Sequence, residues 1–398
     1  MTSRPVALFV TPVLPLPGGS GRALRAWDWL QTLSRDHRVH LLVAGDRDSW
    51  PTLPADYPAE ALWPLADGVS TTRRYRRLAG LSLPLLALCS RRFVSDWQQW
   101  TSTSTLEALE ARLAGETVQR IVVFRLYLQD LGTALAARYP HADYALDLDD
   151  LESRTRTSVA LASWRMGQYR DALRGLSTAI QYRLVERDIA RQYRTLYLAA
   201  SDDARHLPAR PGLSIACRPN RIALPATPAG LPCDGPLGLL FVGTLNYPPN
   251  EEAVRFLLTR LIPRLSTTLT SPWRLRIIGR HASTALQALL RDTPQVEFTA
   301  EVGDLDDSYA RSHIVLVPLF AGGGTKLKTL EGFAHRRPVI STRQGVRGLA
   351  VTSGEHYLAA HGAEEFAASI VALATRRELA ERIANAGWAL CRQQYARP

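Results

Sequence analysis

Two doubly wound α/β domains in tandem are the fold class that this 398-residue sequence predicts. Short β-branched or apolar runs alternate with longer helical patterns, the signature of parallel sheets covered by helices. The alternation is broken by Arg221–Gly238 (RIALPATPAGLPCDGPLG), where proline and glycine accumulate as they do in a linker. The length also exceeds one ordinary core, at about 100 to 200 residues per domain. We therefore expect an N-terminal domain over 1–225, a second over 226–380, and a C-terminal helix over 381–398 returning toward the first.

In the first half the strands expected are Val6–Thr11 (VALFVT), Arg38–Ala44 (RVHLLVA), Arg120–Arg125 (RIVVFR), Tyr144–Leu148 (YALDL) and Thr195–Ala200 (TLYLAA). Helices fit between them, the longest running roughly from Leu151 to Arg194. The second series is Leu237–Gly243 (LGLLFVG), Arg274–Gly279 (RLRIIG), Val296–Thr299 (VEFT), His313–Phe320 (HIVLVPLF) and Pro338–Thr342 (PVIST). Open α/β sheets bind ligands beyond the carboxyl ends of their strands, so the chemistry is expected in the loops there, facing a cleft between the domains.

Hydrophobic residues at 46% and charged residues at 21% are those of a folded chain. A net charge of +11 calls for anionic partners, but the basic residues are dispersed without zinc-finger spacing or an aromatic-basic RNA signature, which argues against nucleic acid. Cys89, Cys217, Cys233 and Cys391 form no Cys-x-x-Cys pair, against a disulfide framework or structural zinc and in favour of a reducing cytoplasm. The run PVALFVTPVLPLPGG is too short for a signal peptide, and Leu78–Ser90 (LAGLSLPLLALCS), containing Pro84, is too short to span a bilayer. Arginines 73, 74, 76, 77, 91 and 92 flank that second run. Arg73 to Arg92 thus reads equally as a helix lying on an anionic inner leaflet and as a buried helix with solvated ends.

Of 48 basic residues only two are lysines, Lys326 and Lys328, both in Leu319–Ser341 (LFAGGGTKLKTLEGFAHRRPVIS). There a glycine-rich turn opens a helix directly after a strand, so backbone amides and the helix N-terminus converge where a phosphate would sit. Gly323, Gly324, Thr325, Lys326 and Lys328 are the expected phosphate ligands. On the helical wheel Leu327, Leu330 and Ala334 face the core, while Lys328 and Glu331, three apart, read alternatively as a solvated pair. A compact ammonium fits a tight turn that a broad guanidinium would not. Lys326 is followed by Leu327 rather than Ser or Thr, which excludes a Walker loop, and no Gly-x-Gly-x-x-Gly follows the first strand, which excludes the dinucleotide fingerprint.

Gly18, Gly19 and Ser20, with Arg22 behind them, form a second glycine-rich strand-to-helix turn that reads as a phosphate or acceptor contact or as a plain turn. Asp147, Asp149 and Asp150 end a strand; one of them is expected to orient or deprotonate an acceptor hydroxyl, and Asp150 reads equally as a helix N-cap. Arg280 follows another strand and is placed to grip a phosphate bidentately. His313 and His335 lack metal-ligand spacing, so no metal site is expected.

The segment GGGTKLKTLEGFAHRRPVISTRQGVRGL, with LLFVGTLNYPPNEEAVRFL about 80 residues before it and the N-terminal TPVLPLPGGSGRALRAWDWLQTLS, resembles family 4 retaining glycosyltransferases of the GT-B fold. The likeness covers most of the chain and is strongest from Leu239 to Leu349. It implies two Rossmann-like domains and transfer of a sugar from a nucleoside diphosphate sugar to an acceptor hydroxyl, with retention and without a metal or other cofactor. Glu331 matches the family's ribose-binding glutamate, whereas its usual partner seven residues earlier would fall at Gly323, as in the branch with a triple-glycine turn. Relatives carry a phosphate-binding arginine and lysine where this chain has Thr244 and a lysine-free YPPN, so Lys326, Lys328 or both are expected to take over that charge. It also places Thr299 and Val302 at the nucleobase, and Lys326, Asp147 and Asp149 at the reaction centre. The implied setting is polysaccharide or glycoconjugate synthesis in the cytoplasm, with a glycan, lipid-linked or small-molecule acceptor. A nucleotide-sugar epimerase of the same fold and a non-catalytic nucleotide-sugar binder are the alternatives.

Overall fold

In the computed structural model, which describes residues 4–44, 50–65, 103–300, 305–324 and 326–397, the apolar run Val6–Thr11 is strand β1, buried at every position. Around it lie β2 (Arg38–Ala44), β3 (Ala61–Leu65), β4 (Val118–Phe124), β5 (Asp143–Asp149), β6 (Thr195–Leu198) and β7 (Ser214–Cys217). All pairs are parallel, in the order β3-β2-β1-β4-β5-β6-β7. Central strands covered on both faces need apolar residues at odd and even positions alike, which is why β1 reads as a continuous run. One face, with Ala7, Phe9, Leu41 and Phe124, packs on Trp29 and Leu30 of α1 (Gly21–Ser34). The other, with Leu8, Val10, Val123 and Leu146, packs on Tyr182, Ile189 and Tyr193.

The second sheet comprises β8 (Leu237–Val242), β9 (Trp273–Ile278), β10 (Val296–Thr299), β11 (Ile314–Val317), β12 (Val339–Ser341) and β13 (Leu358–Ala359), parallel and ordered β10-β9-β8-β11-β12-β13. Its strand order reverses between β8 and β11, and such a switch point is where a doubly wound sheet offers a crevice beyond its carboxyl ends. The described residues form two compact units, Met1–Arg156 with Leu176–Pro219, and Thr157–Gly175 with Asn220–Pro398.

The expected long helix is two helices, α2 (Glu152–Arg165) and α3 (Tyr169–Gln192), because the chain turns at Gly167 with φ +78°. The adjoining ends of α2 and α3 group with the second unit. Strands β3, β7 and β13 were not expected; they are short, β3 contains Pro64, and β13 has two residues. The strand expected from His313 begins instead at Ile314, and His313 Nδ1 accepts from the Gly238 amide at 3.0 Å. After α6, which follows α4 (Pro248–Phe256) and α5 (Leu327–Ala334) as Arg377–Leu390, the chain returns so that the Ile222 amide donates to the Tyr395 carbonyl at 2.8 Å. The expected basic-flanked segment Arg73 to Arg92 lies outside the described residues, as do Thr325 and Val302.

Candidate functional site

Beyond β11 the chain enters the glycine-rich turn, with Gly322 at φ +109° and Gly324 at φ +67°. These are left-handed conformations that a side chain would strain, and a Cβ on Gly322 would stand 3.2 Å from the Tyr247 hydroxyl oxygen. The Gly322 amide donates to Ser158 Oγ at 2.9 Å, and its carbonyl accepts from Gln344. Lys326, just before the first residue of α5, is buried and folds back so that Nζ donates to the Gly323 carbonyl at 2.7 Å. The turn is thus braced at both ends.

Lys328 is not half of a solvated pair. Its Nζ donates to Asn250 Oδ1 at 2.9 Å and lies 5.7 Å from the centroid of the Phe241 ring, while Asn250 Nδ2 donates to the Thr244 carbonyl at 2.8 Å. That second bond fixes which way the amide faces. Burial pushes Lys328 down to about 8, with Glu331 acting in the opposite direction. Glu331 Oε2 accepts from the Tyr309 hydroxyl at 2.9 Å, and the Tyr309 ring stacks on His335 at 4.2 Å and 14°. His335 in turn meets the Glu331 carbonyl through Nδ1 at 2.7 Å and Asp306 through Nε2 at 2.8 Å. Burial and the adjacent Glu331 carboxylate hold the Tyr309 phenol well above its usual range. On the inner side of α5, Leu330, Phe333 and Ala334 are buried and Thr329 Oγ1 donates to the Gly345 carbonyl at 2.7 Å.

Thr244, Arg280 and Thr299 follow or end β8, β9 and β10, so with the glycine-rich turn they share the carboxyl edge of one sheet. Thr244 and Arg280 are exposed, the Arg280 carbonyl accepting from Leu245 N at 2.8 Å and the Thr299 carbonyl from Gly279 N at 3.0 Å. The backbone packs tightly there: a Cβ on Gly279 would fall 2.0 Å from the Gly243 carbonyl oxygen.

In the first unit Gly18, Gly19 and Ser20 are exposed, and Ser20 caps α1 by accepting from Ala23 N at 3.3 Å. Asp147, expected at the reaction centre, is fully buried and takes two 2.8 Å bonds from Arg25 Nε and Nη2, one from Trp29 Nε1, and one of 2.8 Å from the Asp149 amide. Its oxygens are occupied, so no lone pair is left for an acceptor hydroxyl. Asp150 is not an N-cap, since α2 begins at Glu152 and its carboxylate bonds Arg125 at 2.8 Å and Thr155. Asp149, at φ +62°, meets Arg125 at 2.9 Å and keeps 11% of its side chain exposed. Burial raises its pKa against the pull of Arg25 and Arg125. Arg25, Arg125 and Glu152 were missed as members of this cluster, although Arg125 directly follows the apolar strand IVVF and stands at φ +81°. Among the described residues no group of three or more His, Cys, Asp and Glu could hold a metal ion.

Residues 236–376 match the family model described as Glycosyl transferases group 1. No curated protein matches the chain in sequence. In structure it is similar to the sucrose-phosphate synthase of Thermosynechococcus elongatus, with a TM-score of 0.66 and 14% identity over 99% of this chain and 95% of that one. The Anabaena protein HepE, solved in complex with UDP and glucose, aligns with a TM-score of 0.62 and 14% identity over 98% and 95%. An E. coli structure described as trehalose-6-phosphate bound with UDP-2-fluoro glucose aligns at 0.58 and 14% over 98% and 96%. At such identities the likeness is one of fold, and that fold is GT-B, built from two Rossmann-like parallel-sheet units.

Proposed function

We propose that the protein is a glycosyltransferase that moves a sugar from a nucleoside diphosphate sugar to an acceptor hydroxyl, with the donor held by the second unit. The observation that carries this reading is the braced glycine-rich turn, which presents Lys326, Lys328 and Glu331 around the start of α5, inside residues 236–376 that match group 1 glycosyltransferases. Amides of the turn and the Lys326 ammonium are suited to charge that grows on a departing diphosphate. With one oxygen of Glu331 held by Tyr309, the other is free to accept from a ribose hydroxyl. Thr299 and the chain at Val302 are assigned to the nucleobase, and Thr244, Thr325 and Arg280 to the diphosphate. Of the first unit's carboxylates Asp149, rather than Asp147, is assigned to the acceptor.

The configuration of the sugar is retained in this reading: the leaving phosphate oxygen takes the acceptor proton on the same face, and no metal takes part. The acceptor is a glycan, lipid-linked or small molecule, in polysaccharide or glycoconjugate synthesis in the cytoplasm. UDP in the HepE and E. coli structures makes uridine the first base to test. A thermal-shift series with UDP, GDP, ADP and TDP and their sugars, on the wild type and on Lys326→Ala and Glu331→Ala, tests the site. One diphosphate should stabilise the wild type and do so less in each variant. No shift with any of them would remove the donor assignment.

A further inference from the structure

Among the described residues, the large apolar side chains that stay exposed are concentrated on α2 and α3. Leu161, Trp164, Tyr169 and Leu173 are 49–55% exposed and lie where the two helices adjoin, in the part that groups with the second unit. Leu161 and Trp164 are three apart on α2, and Tyr169 and Leu173 four apart on α3, so each pair shares a helix face. The Trp164 and Tyr169 rings meet edge to face at 4.9 Å and 71°, joining the two faces into one patch. Water is a poor solvent for such a patch, and one of this make-up marks a contact surface.

Its rim is cationic. Arg170 and Arg174 each follow one of the α3 apolar residues and are exposed, Arg174 standing 3.6 Å from Asp171. Exposed pairs of that kind are worth little, and the two arginines with the single carboxylate of Asp171 between them leave this end of α3 with a net positive charge. Leucine with tryptophan and tyrosine, edged by arginine, is the composition that settles at a lipid–water boundary, rings at the headgroup level and guanidinium groups on phosphates. A second copy of the chain fits less well, because facing patches would bring the Arg170 and Arg174 pairs together. A stable protein partner would also draw on roughly 20–30 residues a side. We propose that the hairpin end from Leu161 to Arg174 docks on an anionic phospholipid bilayer. Ser158, which accepts from the Gly322 amide, lies one turn before Leu161 on the same helix. These residues are distinct in sequence from Arg73 to Arg92, and the inference does not depend on the sugar chemistry.

The test is flotation of the full chain with phosphatidylcholine vesicles with and without phosphatidylglycerol. Binding is expected only with the anionic lipid and should be lost in high salt. Trp164→Glu with Leu173→Glu, and separately Arg170→Ser with Arg174→Ser, should each weaken it by about tenfold or more with an unchanged melting temperature. Brominated lipid should quench wild-type tryptophan fluorescence more than that of Trp164→Phe. Failure of the wild type to bind anionic vesicles, or equal binding by the variants, would overturn the proposal. So would a concentration-dependent dimer that the double glutamate variant abolishes, since the patch would then belong to a second copy.

Discussion

Affinity for a nucleoside diphosphate should fall as pH rises above about 8, with Lys328 the cause. Burial is what lowers this ammonium, and Glu331 only partly offsets it. A diphosphate oxygen within ~4 Å, at an effective dielectric near 20, would favour the charged form by about 4 kcal/mol, a rise of roughly three pKa units on binding. Above pH ~8 the free site must therefore take up a proton to bind, and the affinity should drop by up to about tenfold per pH unit. The unliganded fold responds with the opposite sign. Its Lys328 pKa lies below the ordinary lysine value of 10.5, so the penalty on the charged form is fully present below about 8 and is relieved as pH rises from there toward 10.5. For a fully buried ammonium that would be about 3 kcal/mol; Lys328 is half-buried by its solvent exposure, which reduces the figure to roughly 1–2 kcal/mol.

The assay is calorimetric titration with UDP, or whichever diphosphate the thermal series selects, from pH 7 to about 9.5 in two buffers of different ionisation enthalpy. Wild type should show proton uptake that appears near pH 8. Lys328→Met should bind weakly and without that slope, and Lys328→Arg should also lose the slope, since a guanidinium stays charged throughout. A wild-type affinity flat over the range, or a slope that survives in Lys328→Met, would refute the reasoning.

Asp147→Asn removes the charge opposite the buried Arg25 and should cost about 3–5 kcal/mol in urea unfolding, with diphosphate affinity unchanged where the variant is folded. Tyr309→Phe frees Glu331 Oε2 and should weaken binding of a ribonucleoside diphosphate by about tenfold, leaving its 2′,3′-dideoxy analogue unaffected; equal losses would make Tyr309 merely structural. Glu186, raised by burial to about 7 against the pull of Ser153, is penalised when ionised, so the stability it supports falls as pH rises from 4.5 to about 7. Glu186→Gln should therefore match wild type in melting temperature near pH ~5 and exceed it by about 1–3 kcal/mol of stability above pH ~7. Gly279→Ala puts a methyl 2.0 Å from the Gly243 carbonyl oxygen and should fail to yield soluble folded protein.

The parallel-sheet architecture was legible because β1 and β11, and the central parts of β4 and β8, are buried at successive positions and must be written as apolar runs. Strands at the sheet edges, β7 and β13, were not, being short and only partly buried. Glycine and lysine marked the turn before α5, since spacing and charge are local properties. Its supports were hidden: Ser158, Asn250 and Tyr309 come from 164, 78 and 22 residues away from their partners, and nothing in a local pattern announces such pairs. Asp147 shows how partners distant in sequence change the reading of a local pattern. A strand ending in carboxylates reads as an acceptor site, but Arg25, 122 residues earlier, and Trp29 had already taken its oxygens.

The confinement of lysine to this turn has a physical account in these contacts. Lys328 is offered one side-chain oxygen, that of Asn250, and one ring face, that of Phe241. An ammonium there keeps two hydrogens for an incoming anion, whereas a planar guanidinium would bring five N–H groups into a niche that supplies one acceptor. Lys326 is placed similarly, with its Nζ on the Gly323 carbonyl and the chain at Gly322 already tied to Ser158 and Gln344. A flexible stem can leave that carbonyl for a stronger, charge-assisted bond to a phosphate oxygen without moving the turn. Arginine suffices where the structure presents paired carboxylate oxygens, as at Arg25 on Asp147, and the two lysines stand where it presents single oxygens beside a turn built for an anion.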